Sequence, residues 1–237
     1  MTEAIATFDI DGTLIKRKNP NLSTAKIDAI NNSINKVFSI DSIYYLDLMS
    51  PEMYGMTDRS ILRKILFKIG IDKSVIDHKF DILFEEILKY FFQHRKEICD
   101  DYIILPGIVQ LLDALEKRGV KLGLATGNLS EFAYWKLTGV KLGHYFKFGG
   151  FGEDNEDRSG IISAALKRAN NCSNTKACHF GDTPFDIEAA KSNNILSAAI
   201  SSQGGGTFDS KTLADTGADL VVNSWGEIDR ILELFHK

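Results

Sequence analysis

Two kinds of apolar pattern alternate along much of the chain. Ala4–Phe8 is a short apolar run without charge, which is typical of a strand buried on both faces. Further strands are predicted at 120–126, 145–148, 176–180, 195–200 and 220–222. Between them, apolar residues at helical spacing predict helices at 108–118, 130–137, 159–170 and 186–192. Strands that alternate with helices indicate βαβ units, so we expect an α/β fold with a doubly wound, mostly parallel sheet.

The segment from residue 16 to residue 100 has a different pattern, with helical periodicity and little strand signal. It opens with a polar, turn-forming stretch at 16–21. Helices are predicted from Ser23 or Thr24 to Phe38, from 58 to 69 and from 73 to 99. Their apolar stripes are typical of helices that pack against one another, so the segment is interpreted as an insertion with its own small bundle.

This change of pattern predicts two domains. Residues 1–15 and 101–237 are expected to form the sheet domain together, and residues 16–100 are expected to form the inserted helical domain. A chain of 237 residues is long enough for one large domain or for a core with such an insertion.

Composition and charge exclude several classes of function. The formal net charge of −4 leaves no general basic surface for nucleic acid or for an anionic membrane. No apolar run approaches the roughly 20 residues that a membrane-spanning helix needs. The three cysteines show neither CxxC spacing nor a paired histidine pattern, as expected of reduced thiols rather than of disulfides or a zinc site. We therefore expect a cytoplasmic protein that binds neither nucleic acid nor membrane.

Polar, turn-forming residues follow three of the predicted strands. They occupy 9–13, with the sequence DIDGT, then 126–128, with TGN, and 181–186, with GDTPFD. The carboxyl ends of parallel strands meet at one edge of a sheet, where ligands bind in open α/β folds, so the three clusters are expected to gather there. If the extended conformation continues to Asp11, its carboxylate and that of Asp9 face the same site.

The chemistry of these clusters suits a metal ion and a phosphate group. Four carboxylates come together, from Asp9, Asp11, Asp182 and Asp186. Unpaired carboxylates repel and raise one another's pKa, so a cation or a shared proton must balance them. Oxygen ligands suit Mg²⁺, which usually completes its shell with water and substrate phosphate. The hydroxyl of Thr126 and the main-chain amides after each strand are donors that a phosphoryl group would need.

A fixed cation is also needed to hold such an anion, and Arg158 is the nearest candidate, between an acidic loop and a predicted helix. Each of these residues alone has a plainer interpretation. An Asp-Gly pair is common in turns, Asp182 and Asp186 suit a helix N-terminus, and Arg158 suits a surface ion pair. Their joint occurrence at strand ends favours a site.

The combination resembles the four motifs of the haloacid dehalogenase-like hydrolase superfamily, in the right order and over about residues 4–222. The matching segments are DIDGTL, ATGN, an arginine ahead of a helix, and GDTPFD. Helical sequence just after the first motif is similar to the helical-cap subgroup, which includes phosphoglycolate-phosphatase-like enzymes and β-phosphoglucomutase. The resemblance implies a Rossmann-like core domain with the insertion as its cap. Many relatives have lysine at the third motif, often followed by proline, where this chain has Arg158.

Carried over by motif position, the resemblance implies a role for each acidic residue. Asp9 would be the nucleophile that forms an aspartyl-phosphate. Asp11 would protonate the leaving oxygen and then take a proton from the hydrolytic water. Mg²⁺ would be bound by the Asp9 carboxylate, the Asp11 main-chain carbonyl and Asp182, and Asp186 would support the metal site.

The resemblance also implies how the phosphate is held and what the reaction is. Thr126 and the amides of Gly127 and Asn128 would bind phosphate oxygens, and Arg158 would neutralise charge in the transition state. The implied activity is Mg²⁺-dependent hydrolysis of a small phosphomonoester.

Three other functions are compatible with parts of this sequence pattern. A phosphosugar mutase stays open, because the motifs do not show whether water or a second hydroxyl takes the phosphoryl group. A haloacid dehalogenase would need neither Mg²⁺ nor the acid Asp11. A catalytically silent binding protein would be expected to lose the nucleophile or its metal partners. The natural substrate stays open, as does the choice between monomer and homodimer. Four residues of the cap are candidates for contacting the substrate: Lys16, Arg17, Thr57 and Arg59.

Overall fold

A central parallel sheet is the main feature of the structure, a computed structural model that describes residues 4–19, 25–40, 43–170 and 175–236. Its six strands are Ala4–Phe8 (β1), Lys121–Ala125 (β4), Phe148–Gly150 (β5), Lys176–Gly181 (β6), Leu196–Ile200 (β7) and Leu220–Val222 (β8). They have the order β5-β4-β1-β6-β7-β8, and each neighbouring pair is parallel. The prediction of an α/β fold with a mostly parallel sheet is confirmed.

Helices cover both faces of this sheet. Their bounds are Ile108–Lys117 (α6), Ser130–Gly139 (α7), Arg158–Arg168 (α8), Pro184–Ser192 (α9), Ser210–Thr216 (α10) and Ile228–Glu233 (α11). Ile5 of β1 packs in one cluster with residues of α8 and α9, whereas its neighbours Ala6 and Phe8 belong to the cluster that contains α6 and α11. Alternate residues of a strand point to opposite faces, so β1 is buried on both sides, as its charge-free sequence predicts.

Residues 25–100 form the helical region. Its helices are Ala25–Phe38 (α1), Tyr45–Leu48 (α2), Asp58–Lys68 (α3), Lys73–Gln93 (α4) and Arg95–Asp100 (α5). The predicted helix at 73–99 is interrupted at His94, where the backbone leaves the helical conformation with φ −106° and ψ 20°. The proposed caps of the first helix, Ser23 and Thr24, lie outside the described residues.

The chain enters and leaves the helical region through a two-stranded ribbon that the sequence did not predict. Ile15–Arg17 (β2) pairs antiparallel with Tyr102–Ile104 (β3). The stretch beginning at residue 16 was interpreted as a turn because its residues are polar, but long-range pairing with β3 makes its first part extended. A second difference is smaller: the strand predicted at 145–148 lies at 148–150.

Among the described residues, none of the helices is both long enough and apolar enough to cross a membrane.

Candidate active site

The carboxyl ends of three adjacent strands open into one cavity. Strands β4, β1 and β6 are neighbours in the sheet, and they lead to Thr126, Asp9 and Asp182 respectively. A cavity of about 540 Å³ is lined by these three residues and by residues of the helical region. The expected gathering of the three strand ends is therefore present.

A buried acidic cluster lies at the floor of the site. Asp9, Asp182 and Asp186 each offer a carboxylate oxygen, and these oxygens lie within 4.8 Å of one another. All three residues are buried. Gly12 allows this approach: it has φ +77°, and a Cβ at this position would lie 2.2 Å from Asp182 Oδ2. An all-oxygen donor set of this kind fits Mg²⁺.

The charges in this cluster do not balance on their own. Burial raises the pKa of Asp182 to about 8, and the carboxylates of Asp186 and Asp9 add to the effect. The pKa of Asp9 is also raised, chiefly by burial, against the opposing charge of Arg158. With all three carboxyl groups ionised, the cluster carries more negative charge than one guanidinium balances, and either a proton or a divalent cation would compensate the excess.

Arg158 is the cation of this cluster. It is the first residue of α8, and its guanidinium contacts Asp186 and lies 3.3 Å from Asp9 Oδ1. For Asp186, burial acts to raise the pKa, but Arg158 and His179 outweigh it and hold the pKa well below its usual range. The Arg158 Nε also donates to the carbonyl of Gly55, at 3.1 Å, so this side chain links the acidic cluster to the helical region.

The segment 126–128 forms a second wall of the site. Thr126 and Asn128 are buried, and Asn128 Nδ2 donates to Thr126 Oγ1 at 2.8 Å and to Asp11 Oδ2 at 2.9 Å. Gly127 contacts the helical region closely, because a Cβ there would lie 2.8 Å from Thr57 Cα. The structure thus brings all the predicted site residues to one place, with Asp11 on the side of 126–128 rather than in the acidic cluster.

Sequence reasoning missed Lys136, whose Nζ donates to both carboxylate oxygens of Asp11 at 2.6 and 2.8 Å. Although burial acts to raise it, the pKa of Asp11 is lowered, first by the charge of Lys136 and then by that of Lys26. A lysine in a helix usually faces solvent, and Asp11 lies 125 positions away, so no local signal marks this pair.

A second missed contact supports Asp186 from behind. His179 is buried in β6, as expected of a core residue, and its Nε2 donates to Asp186 Oδ1 at 3.1 Å. In the neutral ring, Nδ1 then accepts the hydroxyl of Thr7 at 3.0 Å. Thr183 Oγ1 donates to the other oxygen of Asp186 at 2.7 Å. Donors of this kind orient a carboxylate next to a metal site.

The four candidates for contacting the substrate occupy different positions. Lys16 and Arg17 line the cavity. Thr57 caps α3, and its hydroxyl donates to the carbonyl of Glu156 at 2.7 Å. Arg59 instead packs over the ring of Phe80 at 5.0 Å, and its Nε lies 3.9 Å from Glu156 Oε1.

Comparison with known proteins identifies the family. The sequence profile of the haloacid dehalogenase-like hydrolases matches residues 6–200, and the chain belongs to this family. Among curated relatives, the phosphoglycolate phosphatase of Pseudomonas fluorescens is 27% identical over 200 residues, which cover 83% of this chain and 69% of that protein. The phosphoglycolate phosphatase of Pseudomonas savastanoi is 25% identical, with the same coverage.

Solved structures share the fold. The β-phosphoglucomutase of Clostridium difficile superimposes with a TM-score of 0.69 at 22% identity, over 99% of this chain and 97% of that one. A hydrolase from Pseudomonas syringae gives a TM-score of 0.64 at 20% identity, over 99% and 100% of the two chains. The predicted family, the predicted fold and the prediction of a phosphatase-type hydrolase are confirmed.

Proposed function

We propose that this enzyme is a Mg²⁺-dependent phosphatase that hydrolyses a small phosphomonoester through an aspartyl-phosphate. The observation that carries the proposal is the buried group of Asp9, Asp182, Asp186 and Arg158 at the strand ends, opening into a cavity shared with the helical region. Carboxylates beside a single guanidinium provide a nucleophile, oxygen ligands for a metal and a cation for the phosphate in one place.

In the first step, an oxygen of the Asp9 carboxylate forms a bond to phosphorus while the bond from phosphorus to the leaving oxygen breaks. Despite burial, the charges of Lys136 and Lys26 lower the pKa of Asp11, so we propose that Asp11 takes up a proton when the phosphate anion binds beside it. It then gives this proton to the leaving oxygen, so the alcohol leaves neutral. The product on the enzyme is an acyl phosphate at Asp9. Arg158, 3.3 Å from Asp9 Oδ1, is placed to neutralise charge on the transferring phosphoryl oxygens.

In the second step, water attacks the phosphorus of the acyl phosphate. Asp11, now a carboxylate, takes a proton from this water, and the bond between phosphorus and Asp9 breaks. Inorganic phosphate leaves, with Asp9 again a carboxylate and Asp11 again protonated. The same residue thus acts as acid and then as base, which requires a carboxylate that can reach the reacting atoms. The Asp11 side chain is 44% exposed.

The phosphate would be held by the segment 126–128, next to the acidic cluster at the strand ends. We assign the Thr126 hydroxyl and the main-chain amides of Gly127 and Asn128 to the phosphate oxygens. Mg²⁺ would be held by the carboxylates of Asp9 and Asp182 and by the Asp11 carbonyl, with Asp186 in support. When bound, the metal neutralises phosphoryl charge and orients the ester.

The helical region is proposed to act as a cap over this site. Residues 16–100 would close the cavity, exclude water during phosphoryl transfer and contact the leaving group, with Lys16 and Arg17 at the cavity wall. A small phosphorylated metabolite of the cytoplasm is the substrate class that we propose, for an enzyme acting as a monomer or a homodimer.

Phosphate release from a panel of small phosphomonoesters tests the proposal, with Mg²⁺ and with EDTA. Wild type should release phosphate only with the metal, and Asp9→Asn should abolish release. Asp215→Asn, which alters an exposed carboxylate, is the matched control and should leave release unchanged. A folded wild type that releases no phosphate, or an active Asp9→Asn, would contradict the proposal. Incubation with a hexose 1-phosphate distinguishes a mutase from a phosphatase, because a mutase would yield the hexose 6-phosphate.

A further inference from the structure

We propose that Lys136 is a positioning residue that fixes the Asp11 carboxylate in the orientation needed for proton transfer. The inference rests on the proposed function, in which Asp11 is the acid and base. It assigns a task to a buried charge that the four sequence motifs do not contain.

The hydrogen bonds of Lys136 are all directed at the site. Its Nζ donates to Asp11 Oδ2 at 2.6 Å, to Asp11 Oδ1 at 2.8 Å and to Asn128 Oδ1 at 2.9 Å. A lysine ammonium has three donors, so all three are used. Both carboxylate oxygens are held at once, which fixes the plane of the Asp11 carboxylate and not only its distance.

Exposure within this pair is strongly unequal. The Lys136 side chain is 1% exposed, whereas that of Asp11 is 44% exposed. The ammonium is therefore shielded and the carboxylate faces the cavity. Lys136 lines the cavity beside Asp11, but Asp11 and Asn128 use all three donors of its ammonium, so none is left for a substrate. This is the arrangement expected when a cation supports another residue.

Two aromatic rings hold the ammonium in place. Lys136 Nζ lies 4.4 Å from the ring centroid of Phe132, one turn earlier in α7, and 5.0 Å from that of Tyr102 in β3. The faces of aromatic rings attract a cation, and this attraction grows when the cation is desolvated. With rings and acceptors around it, the ammonium has one well-defined position from which to orient Asp11.

The same lysine also fixes the amide of Asn128. Because Asn128 Oδ1 accepts from Lys136, its Nδ2 must point the other way, toward Asp11 and Thr126. Asp11, the proposed acid and base, is thereby linked through Asn128 to Thr126, which is proposed to bind phosphate. Loss of the ammonium would release both the carboxylate and the amide.

A double-mutant cycle between Lys136 and Asp11 tests the inference. Steady-state phosphate release from an alkyl phosphomonoester with Mg²⁺ is measured for wild type, Lys136→Met, Asp11→Asn and the double variant. We expect Lys136→Met to lower kcat about 10- to 100-fold, with KM changed less than about threefold, because a misplaced catalytic group slows the reaction without weakening binding. In the Asp11→Asn background, the same change should alter kcat less than about twofold.

Control variants separate this role from a structural one. Lys136→Gln keeps a neutral hydrogen-bond donor and replaces Lys136→Met in the cycle if the methionine variant does not fold. Its effect on kcat should likewise be much smaller in the Asp11→Asn background than in wild type. Lys117→Met, which replaces an exposed lysine of α6, should leave kcat unchanged.

Two results would overturn the inference while the proposed function stands. If the kcat losses of the two single variants multiply in the double variant, Lys136 acts independently of Asp11. A loss carried by KM alone would mean that it binds the substrate. A wild type that releases no phosphate from any ester would instead overturn the proposed function, and this inference with it.

Discussion

Single residues of the acidic cluster have opposed electrostatic environments. Burial raises the pKa of Asp182 to about 8, whereas Arg158 holds the pKa of Asp186 low despite its burial. One carboxyl therefore takes up a proton readily and the other keeps its charge. Since a metal binds the charged form, metal binding should compete with the proton on Asp182.

The raised pKa of Asp182 predicts that stability without metal falls as pH rises. The folded state keeps the proton up to about pH 8, whereas the unfolded chain loses it near the ordinary value of 3.8. Between these values the folded state binds more protons, so the free energy of unfolding decreases with pH. Melting temperatures in EDTA from pH 5 to 9 should fall for wild type and stay flatter for Asp182→Asn. If the melting temperature fell equally with pH in wild type and in Asp182→Asn, the raised pKa would not belong to Asp182.

Gly12 offers a second prediction at this scale. Gly12→Ala would place a Cβ against the Asp182 carboxylate, whereas Gly119→Ala has a similar φ of +75° and nothing within 4 Å. Both variants carry backbone strain, worth about 1 kcal/mol or more of stability. Only Gly12→Ala should also lower Mg²⁺-dependent phosphate release, by at least about tenfold. Similar kinetic losses in both variants would show that strain alone is responsible.

The residues of the site differ in how far the sequence predicts them. Asp9 and Asp182 directly follow buried strands, so the rule for parallel sheets is enough to bring them together. Arg158 is anticipated as the nearest candidate for a fixed cation, between an acidic loop and a predicted helix, and the resemblance of the motifs then implies its role. Lys136 and His179 could not be predicted, because a helical lysine usually faces solvent and a histidine in an apolar strand is usually only packed.

The same distinction holds for helices and strands. Strands β1, β4 and β6 are predictable because a short, mostly apolar run is a local signal. The ribbon of β2 and β3 is not, because each strand has three residues and its partner lies far along the chain. The break at His94 is not predictable either, because the apolar stripe of α4 continues up to it.

The first turns of α3 dock on the loop before α8. The hydroxyls of Thr57 and Ser60 donate to the carbonyl of Glu156, at 2.7 and 2.9 Å. Arg63 Nε donates to the Glu156 carboxylate at 2.6 Å. One loop residue thus receives three donors from the helical region, which makes it the main polar contact between α3 and the loop ahead of Arg158.

Weakening this contact should loosen the proposed closure of the helical region over the site rather than stop the chemistry. Glu156→Gln removes the charge that pairs with Arg63, and both side chains are partly exposed, so the pair is worth about 1 kcal/mol or less. We expect KM to rise about two- to fivefold with kcat nearly unchanged, and this difference to shrink at high salt. Glu188→Gln, at an exposed glutamate of α9, is the control. A salt-independent loss of kcat would contradict this interpretation.

At the scale of the whole molecule, the cavity between sheet and helices has two chemically different halves. The half at the strand ends carries the acidic cluster, Arg158 and Asn128. The half formed by the helical region includes Tyr45, Met53 and Tyr54. Lys26 lines this half as well, but its ammonium is paired with Asp58 at 2.8 Å. The cavity is therefore polar where phosphate is proposed to bind, whereas the proposed leaving-group half combines these apolar side chains with the charged Lys16 and Arg17.

This asymmetry predicts a preference for phosphomonoesters whose leaving group has an apolar ring. A two-carbon acid such as that of phosphoglycolate is too small to cover the side chains of Met53 and Tyr54, and Lys26, which lines the same half, is already paired with Asp58. Burying a ring against these side chains gains about 25 cal/mol for each Å² of apolar surface. We expect kcat/KM to be at least about tenfold higher for pyridoxal 5′-phosphate than for phosphoglycolate.

Substitution of Tyr54, which is 52% exposed, should reduce this preference. Tyr54→Ala removes apolar surface from the leaving-group half without touching the acidic cluster, so kcat/KM should fall for the ring-bearing ester and stay nearly constant for phosphoglycolate. Tyr134→Ala, at a partly exposed tyrosine of α7 outside the cavity lining, is the matched control. A wild type that prefers phosphoglycolate would contradict this assignment of the leaving-group half.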